Sequence, residues 1–240
     1  MPTALVTGGA SGIGAEICRQ LLHAGYEVIA LDRVAPAAPH PNLQHVSVDL
    51  LDADATRAAA GELAGRFNIS HIVHNAGAVR PALLPVVDQA DLHDLVQLHL
   101  GAPLLLVQAV LPAMREAGFG RIILISSRAA LGAETRSAYS ATKAGIIGLA
   151  RTWALELAPA GITVNVVAPG PIGGTSMFHD IVPAGSDREA KLAAAIPLRR
   201  LGRPADVARA VLFFADADSG FITGQTLFVC GGSSIGSMAI

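Results

Sequence analysis

The chain has 240 residues, of which 52% are hydrophobic and 15% charged, and its formal net charge is -2 at pH 7. This length is sufficient for one domain with a large core, and the apolar composition excludes a disordered chain. The charge balance provides no basic stripe for nucleic acid or an anionic membrane surface, so we expect neither partner.

Short apolar runs alternate with helical patterns along the chain, which is typical of βαβ units and a parallel sheet. The predicted strands are residues 4–6, 27–31, 45–48, 71–74, 121–125, 163–167 and 226–229. The predicted helices are residues 12–24, 53–67, 90–118, 137–158, 188–195 and 204–215. Three prolines in residues 33–42 predict a loop where a crossover helix would normally connect two strands. We expect a single domain over residues 1–240.

A glycine-rich turn, Thr7-Gly8-Gly9-Ala10-Ser11-Gly12-Ile13-Gly14, lies between the first predicted strand and the first predicted helix. Glycines let the backbone approach a pyrophosphate, and the start of a helix supplies unpaired N–H groups and a positive partial charge. The strand before the turn and the helix after it provide the context of a dinucleotide site. The predicted contacts are Gly8, Ser11, Gly12, Ile13 and Gly14.

Asp32 ends the second predicted strand, eighteen residues after Gly14. A carboxylate at this position can accept hydrogen bonds from both hydroxyls of the adenosine ribose, and it repels a 2′-phosphate. It therefore favours NAD over NADP. The neighbouring Arg33 weakens that preference, because a guanidinium can accommodate a phosphate, and a solvated turn is the alternative role for Asp32.

Tyr139 and Lys143 form an unusual pair in a chain that has only two tyrosines and two lysines. Residues four apart share one face of a helix, so the ammonium would lie beside the phenol. A cation at about 4 Å contributes roughly 4 kcal/mol at an effective dielectric constant of about 20. That would lower the phenol pKa from about 10 towards neutrality and make Tyr139 a general acid and base. Taken alone, a packed tyrosine beside a solvated lysine is an equal alternative.

Together these motifs resemble the short-chain dehydrogenase/reductase family. The segments that carry the resemblance are 7–14, Asp49-Leu50, Asn75-Ala76-Gly77, Ser126-Ser127, Tyr139 with Lys143, Pro169-Gly170, 196–197, 202–204, 224–225 and 231–232. The resemblance implies an α/β fold of the doubly wound Rossmann type, with a seven-stranded parallel sheet in a three-layer αβα arrangement. It also implies a homotetramer or homodimer.

The resemblance implies further cofactor contacts. Asp49 would hold the adenine amino group, Lys143 would hold the hydroxyls of the nicotinamide ribose, and the segment 169–172 would meet the carboxamide. The aligned family threonine follows the Pro-Gly motif more closely, so one extra residue separates Thr175 from it. The predicted contacts beyond the glycine-rich turn are Asp32, Arg33, Asp49, Leu50, Asn75, Ala76, Gly77, Tyr139, Lys143, Pro169, Gly170, Ile172 and Thr175.

The implied chemistry is hydride exchange between nicotinamide C4 and a carbinol carbon, with Tyr139 as general acid and base and a serine hydroxyl on the substrate oxygen. Counting from the end of the fifth strand indicates Ser127 as that serine, whereas the usual separation from the tyrosine indicates Ser126. We predict Ser127, because loops accept a deletion more readily than strands.

His99 completes the predicted catalytic set, since it aligns with an asparagine whose backbone carbonyl helps hold a water on the lysine's proton-relay path. Its imidazole either titrates in that relay or fills the space. The eight histidines form no ligand pattern, so we predict no catalytic metal. Arg128, Glu134 and Arg136 lie in a loop near the predicted pocket, where they either contact a polar substrate or are solvated.

Residues 175–196 are predicted to form a substrate lid whose apolar wall comprises Met177, Phe178, Ile181 and Val182. The leading interpretation is an NAD-dependent oxidoreductase for a small secondary alcohol or ketone. An NADPH-dependent reductase of 3-oxoacyl substrates is the alternative enzyme, and a non-catalytic dinucleotide sensor is the alternative of another class.

The sequence also carries expectations about location and assembly. No signal peptide precedes the first strand, and Cys18 and Cys230 lack disulfide or metal spacing, so we expect a cytoplasmic protein. The apolar stretch 98–114 is interrupted by His99, Pro103, Gln108 and Pro112, and we expect it to be too short and too broken to span a bilayer. The helices at 90–118 and 137–158 have apolar residues on more than one face, which favours a partner subunit.

Overall fold

A seven-stranded parallel sheet forms the centre of the fold in the computed structural model, which describes residues 1–235. Residues 236–240 of the predicted domain lie outside the described residues. The strands are β1 (Thr3–Thr7), β2 (Glu27–Asp32), β3 (Leu43–Ser47), β4 (Ile69–His74), β5 (Gly120–Ile125), β6 (Ile162–Pro169) and β7 (Thr226–Val229). Their order across the sheet is β3-β2-β1-β4-β5-β6-β7. This arrangement confirms the predicted doubly wound fold.

Helices cover both faces of the sheet, because side chains alternate along each strand and both sides of it are apolar. Leu5 and Ile29 pack on one face with the helices at residues 53–66, 102–117 and 137–157, whereas Val6 and Val28 pack on the other face with the helices at residues 12–23 and 204–215. The helices are α1 (Gly12–His23), α2 (Ala53–Arg66), α3 (Gln89–Val96), α4 (Ala102–Ala117), α5 (Ser137–Leu157), α6 (Ser176–His179), α7 (Asp187–Ala195) and α8 (Pro204–Ala215).

The chain reverses its direction across the sheet between β1 and β4, which are hydrogen-bonded neighbours. At such a point the connections leave the two strands in opposite directions, so a crevice opens at their carboxyl ends. The glycine-rich turn follows β1, and Asn75 follows β4. The crevice therefore brings together two segments that are far apart in sequence.

The connection between β2 and β3 is a loop, as its three prolines predicted, and no helix occurs in the described residues 33–42. All five residues of β3 are partly or fully exposed, in contrast to the buried interior of β2. The missing crossover helix leaves this edge of the sheet thinly covered.

The helix predicted at residues 90–118 is divided in two by a π-helical turn at Gln97–Gly101. The Ala102 N–H donates to the carbonyl of Gln97, five residues back, and Pro103 has no N–H to donate to His99. The carbonyl of Leu98 is thereby free to accept a hydrogen bond from His74 Nε2 at 3.1 Å. The interruption thus has a local chemical cause.

The stretch Gln89–Ala117 is nevertheless one continuous 29-residue helical rod, long and apolar enough to cross a membrane by length and composition alone. Residues 98–114 are thus part of a longer helix, and the expectation that they do not span a bilayer stays a prediction. Pro103 lies in the first turn of α4, where its missing N–H costs little. In this fold Leu106, Val110 and Met114 are buried in the core beside the sheet, which accounts for the apolar composition.

Candidate active site

A cavity of about 710 Å³ lies at the carboxyl ends of the strands. Its wall extends from the glycine-rich turn to the predicted lid, and includes every predicted catalytic and cofactor-binding residue except Gly14 and His99. The predicted lid residues Met177, Phe178, Ile181 and Val182 also line it. The fold therefore assembles these side chains in one place, and their individual roles remain predictions.

The glycine-rich turn has the shape that a pyrophosphate requires. Gly8 has a φ of 65°, and a side chain at Gly14 would collide with the Gly8 carbonyl oxygen. Ser11 is the N-cap of α1 but its side chain makes no capping hydrogen bond. The first N–H groups of α1 thus have no side-chain acceptor, and the turn fits a dinucleotide phosphate.

A network of hydrogen bonds joins this turn to the end of β4. Thr7 Oγ1 accepts from the backbone N–H groups of Asn75 and Ala76, each at 3.0 Å, and bonds His74 Nδ1 at 3.0 Å. Asn75 Nδ2 donates to the carbonyls of Thr7 and Gly8. Burial lowers the pKa of His74 to about 3, so its ring is neutral and both ring nitrogens serve as structural partners.

The carboxylate of Asp32 is directed at the glycine-rich turn. Its Oδ2 accepts from the Ala10 N–H at 3.0 Å, and its Oδ1 accepts from the Val34 N–H at 3.2 Å. Arg33 Nη1 lies 3.9 Å from Asp49 Oδ2, and both side chains are well exposed. Asp32 is thus an ordered part of the cavity wall and not merely a solvated turn residue.

The two candidate serines have different environments. The Ser126 hydroxyl is buried and donates to the backbone carbonyl of Lys143 at 2.6 Å. The Ser127 hydroxyl accepts from the Ala129 N–H at 3.1 Å, and it lies close enough to Tyr139 to lower the pKa of the phenol. Of the two hydroxyls, that of Ser127 is the one beside the phenol, in keeping with its predicted role.

The expected effect of Lys143 on Tyr139 is not found. Burial raises the pKa of Tyr139, and the hydrogen bond from Ser127 and the charge of Arg136 only partly offset it. Lys143 Nζ donates to the carbonyl of Ile125 at 2.8 Å and lies 5.6 Å from the centre of the phenol ring. Burial lowers the pKa of Lys143 to about 7, so the ammonium is only partly charged at neutral pH. The same desolvation that weakens the cation also disfavours the phenolate.

His99 is completely buried and fully hydrogen-bonded. Its Nε2 accepts from the Ala78 N–H at 3.3 Å, so Nδ1 carries the proton and donates to Thr142 Oγ1 at 2.8 Å. Burial and the neighbouring Lys143 lower the pKa of His99 far below its usual range. The ring is therefore neutral near pH 7, and a part for His99 in the proton relay stays a prediction. The imidazole fills the space edge-on to Tyr139, with 5.7 Å between the ring centres.

The predicted lid comprises α6 and α7, and the segment that joins it to β6 contains Gly173 and Gly174. Thr175 caps α6 by accepting from the Phe178 N–H at 3.3 Å. Sequence reasoning missed Arg80 and Arg188, which also line the cavity, because neither lies within a recognisable pattern. Within residues 1–235, no three His, Cys, Asp or Glu side chains lie close enough together to hold a metal ion.

The buried Lys143 predicts a pH-dependent stability. Its pKa is lowered from 10.5 to about 7, so between these values the folded protein binds fewer protons than the unfolded chain. Stability therefore rises with pH across this window, and the cost of burying the ammonium is greatest below it. In the cofactor-free protein, Lys143→Met should gain stability relative to wild type near about pH 7.5, and that difference should shrink by about 2 kcal/mol near about pH 9.5. Denaturant unfolding at both pH values measures it. An equal difference at both would contradict the lowered pKa.

Comparison with known proteins agrees with this geometry. A family model described as enoyl-(acyl carrier protein) reductase matches residues 8–234. A subunit of a hydroxy(phenyl)methylsuccinyl-CoA dehydrogenase from Thauera aromatica is 41% identical over 218 residues, which cover 90% of this chain and 84% of the relative. Acetoacetyl-CoA reductase from an Acinetobacter strain is 36% identical, covering 95% of this chain and 96% of the relative.

Solved structures have the same fold. One described as an NAD(P)-dependent gluconate 5-dehydrogenase from Beutenbergia cavernae, with bound NADP, has a TM-score of 0.88 and 30% identity and covers 96% of both chains. The cavity, the glycine-rich turn and the Tyr139–Lys143 pair all occur in the matched region. The chain therefore belongs to the short-chain dehydrogenase/reductase family, whose members are oxidoreductases that bind a nicotinamide dinucleotide and act on hydroxyl or keto groups.

Proposed function

We propose that this oxidoreductase interconverts a secondary alcohol and a ketone with NAD as cofactor, and that Tyr139 is its general acid and base. One observation carries the proposal: Tyr139, Ser127 and Lys143 line the same cavity as the glycine-rich turn and Asp32. A dinucleotide phosphate bound at the turn leaves the other end of the cavity for the reacting carbon.

The bound nicotinamide supplies hydride transfer, and the protein handles the proton. Tyr139 is protonated at neutral pH because its pKa is raised, so in reduction it is ready to donate to the substrate oxygen. In oxidation it must first lose that proton, which the hydrogen bond from Ser127 and the charge of Arg136 favour. Ser127 would also hold the substrate oxygen, and Lys143 would position the ribose and exchange protons near neutral pH. The raised tyrosine pKa makes alkaline pH favourable for oxidation.

Replacement of Tyr139 tests the catalytic proposal. Tyr139→Phe removes the transferable proton but keeps the ring, so turnover should fall by about 10²- to 10⁴-fold while cofactor binding is retained. Nicotinamide absorbance, with a panel of sugar, steroid, cyclic and aryl alcohols and of 3-oxoacyl thioesters, measures turnover. Calorimetry measures cofactor binding. Wild-type protein that binds the cofactor but turns over nothing in the panel would instead support a dinucleotide sensor.

The two serines provide a matched control. Ser127→Ala should lower turnover by about 10²-fold or more if its hydroxyl stabilises the substrate oxygen. Ser126→Ala loses a buried bond to the main chain of Lys143, so we expect it to lower the free energy of unfolding by about 1 kcal/mol with a smaller effect on turnover. A larger loss of turnover in Ser126→Ala than in Ser127→Ala would contradict the assignment.

The preference for NAD rests on Asp32. Its carboxylate is held beside the glycine-rich turn, where it would accept from the ribose hydroxyls and repel a 2′-phosphate. The structure from B. cavernae contains NADP, and Arg33 offers a positive charge next to Asp32, so the coenzyme is a matter for direct measurement. Asp32→Ala should lower the ratio of kcat/KM for NAD to that for NADP by about tenfold or more. Asp218→Ala, exposed and distant, is the control. A wild-type preference for NADP would reject the proposal.

A second candidate function is the reduction of 3-oxoacyl thioesters. The names of two relatives specify CoA thioesters as substrates, acetoacetyl-CoA in one and a hydroxylated succinyl-CoA in the other. This candidate uses the same Tyr139 chemistry and differs only in the acyl carrier and, with NADPH, in the cofactor. Its chemistry is covered by the thioesters in the substrate panel.

We also propose that the protein is a homotetramer or homodimer, with no nucleic-acid or membrane partner and a cytoplasmic location. Large apolar side chains are exposed on the outer faces of the long helices: Val96 on α3, Leu104 on α4 and Leu155, 80% exposed, on α5. A second subunit would remove these side chains from water.

Light scattering tests this assembly. The particle mass at assay concentration should be two or four times the 24.5 kDa of one chain. Leu155→Glu should lower it towards the mass of one chain, because it places a charge within the apolar contact. Arg209→Gln, on the exposed side of α8, is the control and should leave the mass unchanged. A wild-type monomer would exclude the proposal.

A further inference from the structure

Positive charge is concentrated at one end of the cavity. Four arginines from three segments line it together with Tyr139: Arg80, then Arg128 and Arg136 from the connection between β5 and α5, and Arg188 from α7. The two carboxylates that line the cavity, those of Asp32 and Asp49, lie at the other end, near the glycine-rich turn. The end that holds the proposed acid and base is therefore cationic.

Three of these four arginines have no carboxylate partner in the part of the chain that the structure describes. Arg80 pairs with Asp91 at 3.2 Å, whereas no Asp or Glu oxygen lies within 4.0 Å of the guanidinium of Arg128, Arg136 or Arg188. Glu134, the nearest acid in the sequence, is exposed and does not line the cavity. Guanidinium groups that converge on a cavity without such partners form a site for an anion.

The guanidinium of Arg136 is held in position by its own neighbour. Its Nη1 donates to Thr135 Oγ1 at 2.5 Å and to the Thr135 carbonyl at 3.3 Å. Thr135 has a φ of 62°, a left-handed conformation that non-glycine residues rarely adopt. Among the described residues Nε and Nη2 of Arg136 have no hydrogen-bond partner. The edge of the guanidinium group that carries these two nitrogens is therefore available to a ligand.

Arg136 also lies close to the reacting end of the cavity. Its charge lowers the pKa of Tyr139 against the effect of burial, which requires the two groups to be near each other. On the lid, Arg188 Nη1 donates to the Ile181 carbonyl at 3.1 Å, next to the apolar side chains Met177 and Phe178. An anion at Arg136 would thus lie in the same cavity as Tyr139, which the apolar lid side chains also line.

We propose that Arg136 determines specificity, and that the substrate carries an anionic oxygen group, a carboxylate or a phosphate, which Arg136 binds with support from Arg128 and from Arg188 of the lid. This inference rests on the proposed alcohol–ketone oxidoreductase function and narrows its substrate class. The same anion orients the carbonyl towards Ser127 and Tyr139.

Two pairs of ketone substrates separate the possible anions. Monomethyl and dimethyl 3-oxoglutarate differ by one carboxylate. Acetoacetyl-4′-phosphopantetheine and acetoacetylpantetheine differ by one phosphate. Wild type should prefer the anionic member of at least one pair by about tenfold or more in kcat/KM, and the pair that responds identifies the anion.

Substitution of Arg136 tests whether it is the residue responsible. Arg136→Gln should remove that preference mainly through KM, and Arg136→Lys should restore part of it, because lysine keeps the charge but not the planar fork. Arg209→Gln on α8 is the matched control and should change neither member of a pair. Replacement of Arg136 also removes its effect on the pKa of Tyr139. That loss shifts the pH dependence of kcat/KM equally for both members of a pair, so it does not alter the ratio of their kcat/KM values.

Two outcomes overturn the inference: equal kcat/KM for both members of each pair in wild type, or an equal loss for both members in Arg136→Gln. Either would leave the proposed oxidoreductase function standing if turnover still depends on Tyr139. Calorimetry with Tyr139→Phe provides a readout independent of turnover. In the presence of NAD, this variant should bind the anionic member of the responding pair about tenfold more tightly than the neutral one, and Arg136→Gln in the same background should abolish the difference. Equal binding of both members in each pair would also overturn the inference.

Discussion

The Thr7 hydroxyl is the contact on which the rest of the site depends. It lies at the end of β1, accepts two backbone N–H groups from the segment after β4 and donates to the neutral ring of His74. These bonds hold together the two strands between which the crevice opens. His74 extends the group to the carbonyl of Leu98, which the π-turn makes available. One buried hydroxyl thereby connects the phosphate-binding turn, the sheet and the helical rod behind it.

Burial away from solvent is the second constraint. It favours the uncharged form of the four titratable side chains buried behind this crevice. The pKa values of His74, His99 and Lys143 are lowered, and that of Tyr139 is raised. A neutral histidine can act as a fixed donor and acceptor, which suits the packing of His74 and His99. The lowered pKa of Lys143 allows this side chain to gain and lose a proton near neutral pH, whereas the raised pKa of Tyr139 keeps the phenol protonated there.

Much of this arrangement could be predicted because it depends on local sequence. The strand pattern, the glycine-rich turn and the proline-rich loop each follow from residues close together in the chain. The π-turn could have been suspected from Pro103, but its consequence depends on His74, which is distant in sequence. The direction of the shift in the Tyr139 pKa was predicted wrongly. The spacing indicates that Tyr139 and Lys143 are neighbours, but it does not indicate how far each side chain is buried. The arginines that line the cavity come from three segments. The sequence indicated Arg128 and Arg136, whereas only the fold brings Arg80 and Arg188 to them.

The π-turn also limits which deletions the helical stretch Gln89–Ala117 can tolerate. One extra residue in a helical turn rotates everything on one side of it by about 100° relative to the other side. The apolar stripes of α3 and α4 are therefore out of phase: α3 turns its stripe towards α5, whereas α4 turns its stripe towards α2 and the sheet. A one-residue deletion within Gln97–Gly101 would restore a regular helix and align the two stripes. It would then direct one of them away from its neighbour, so the irregularity is what allows a single rod to serve two packing surfaces.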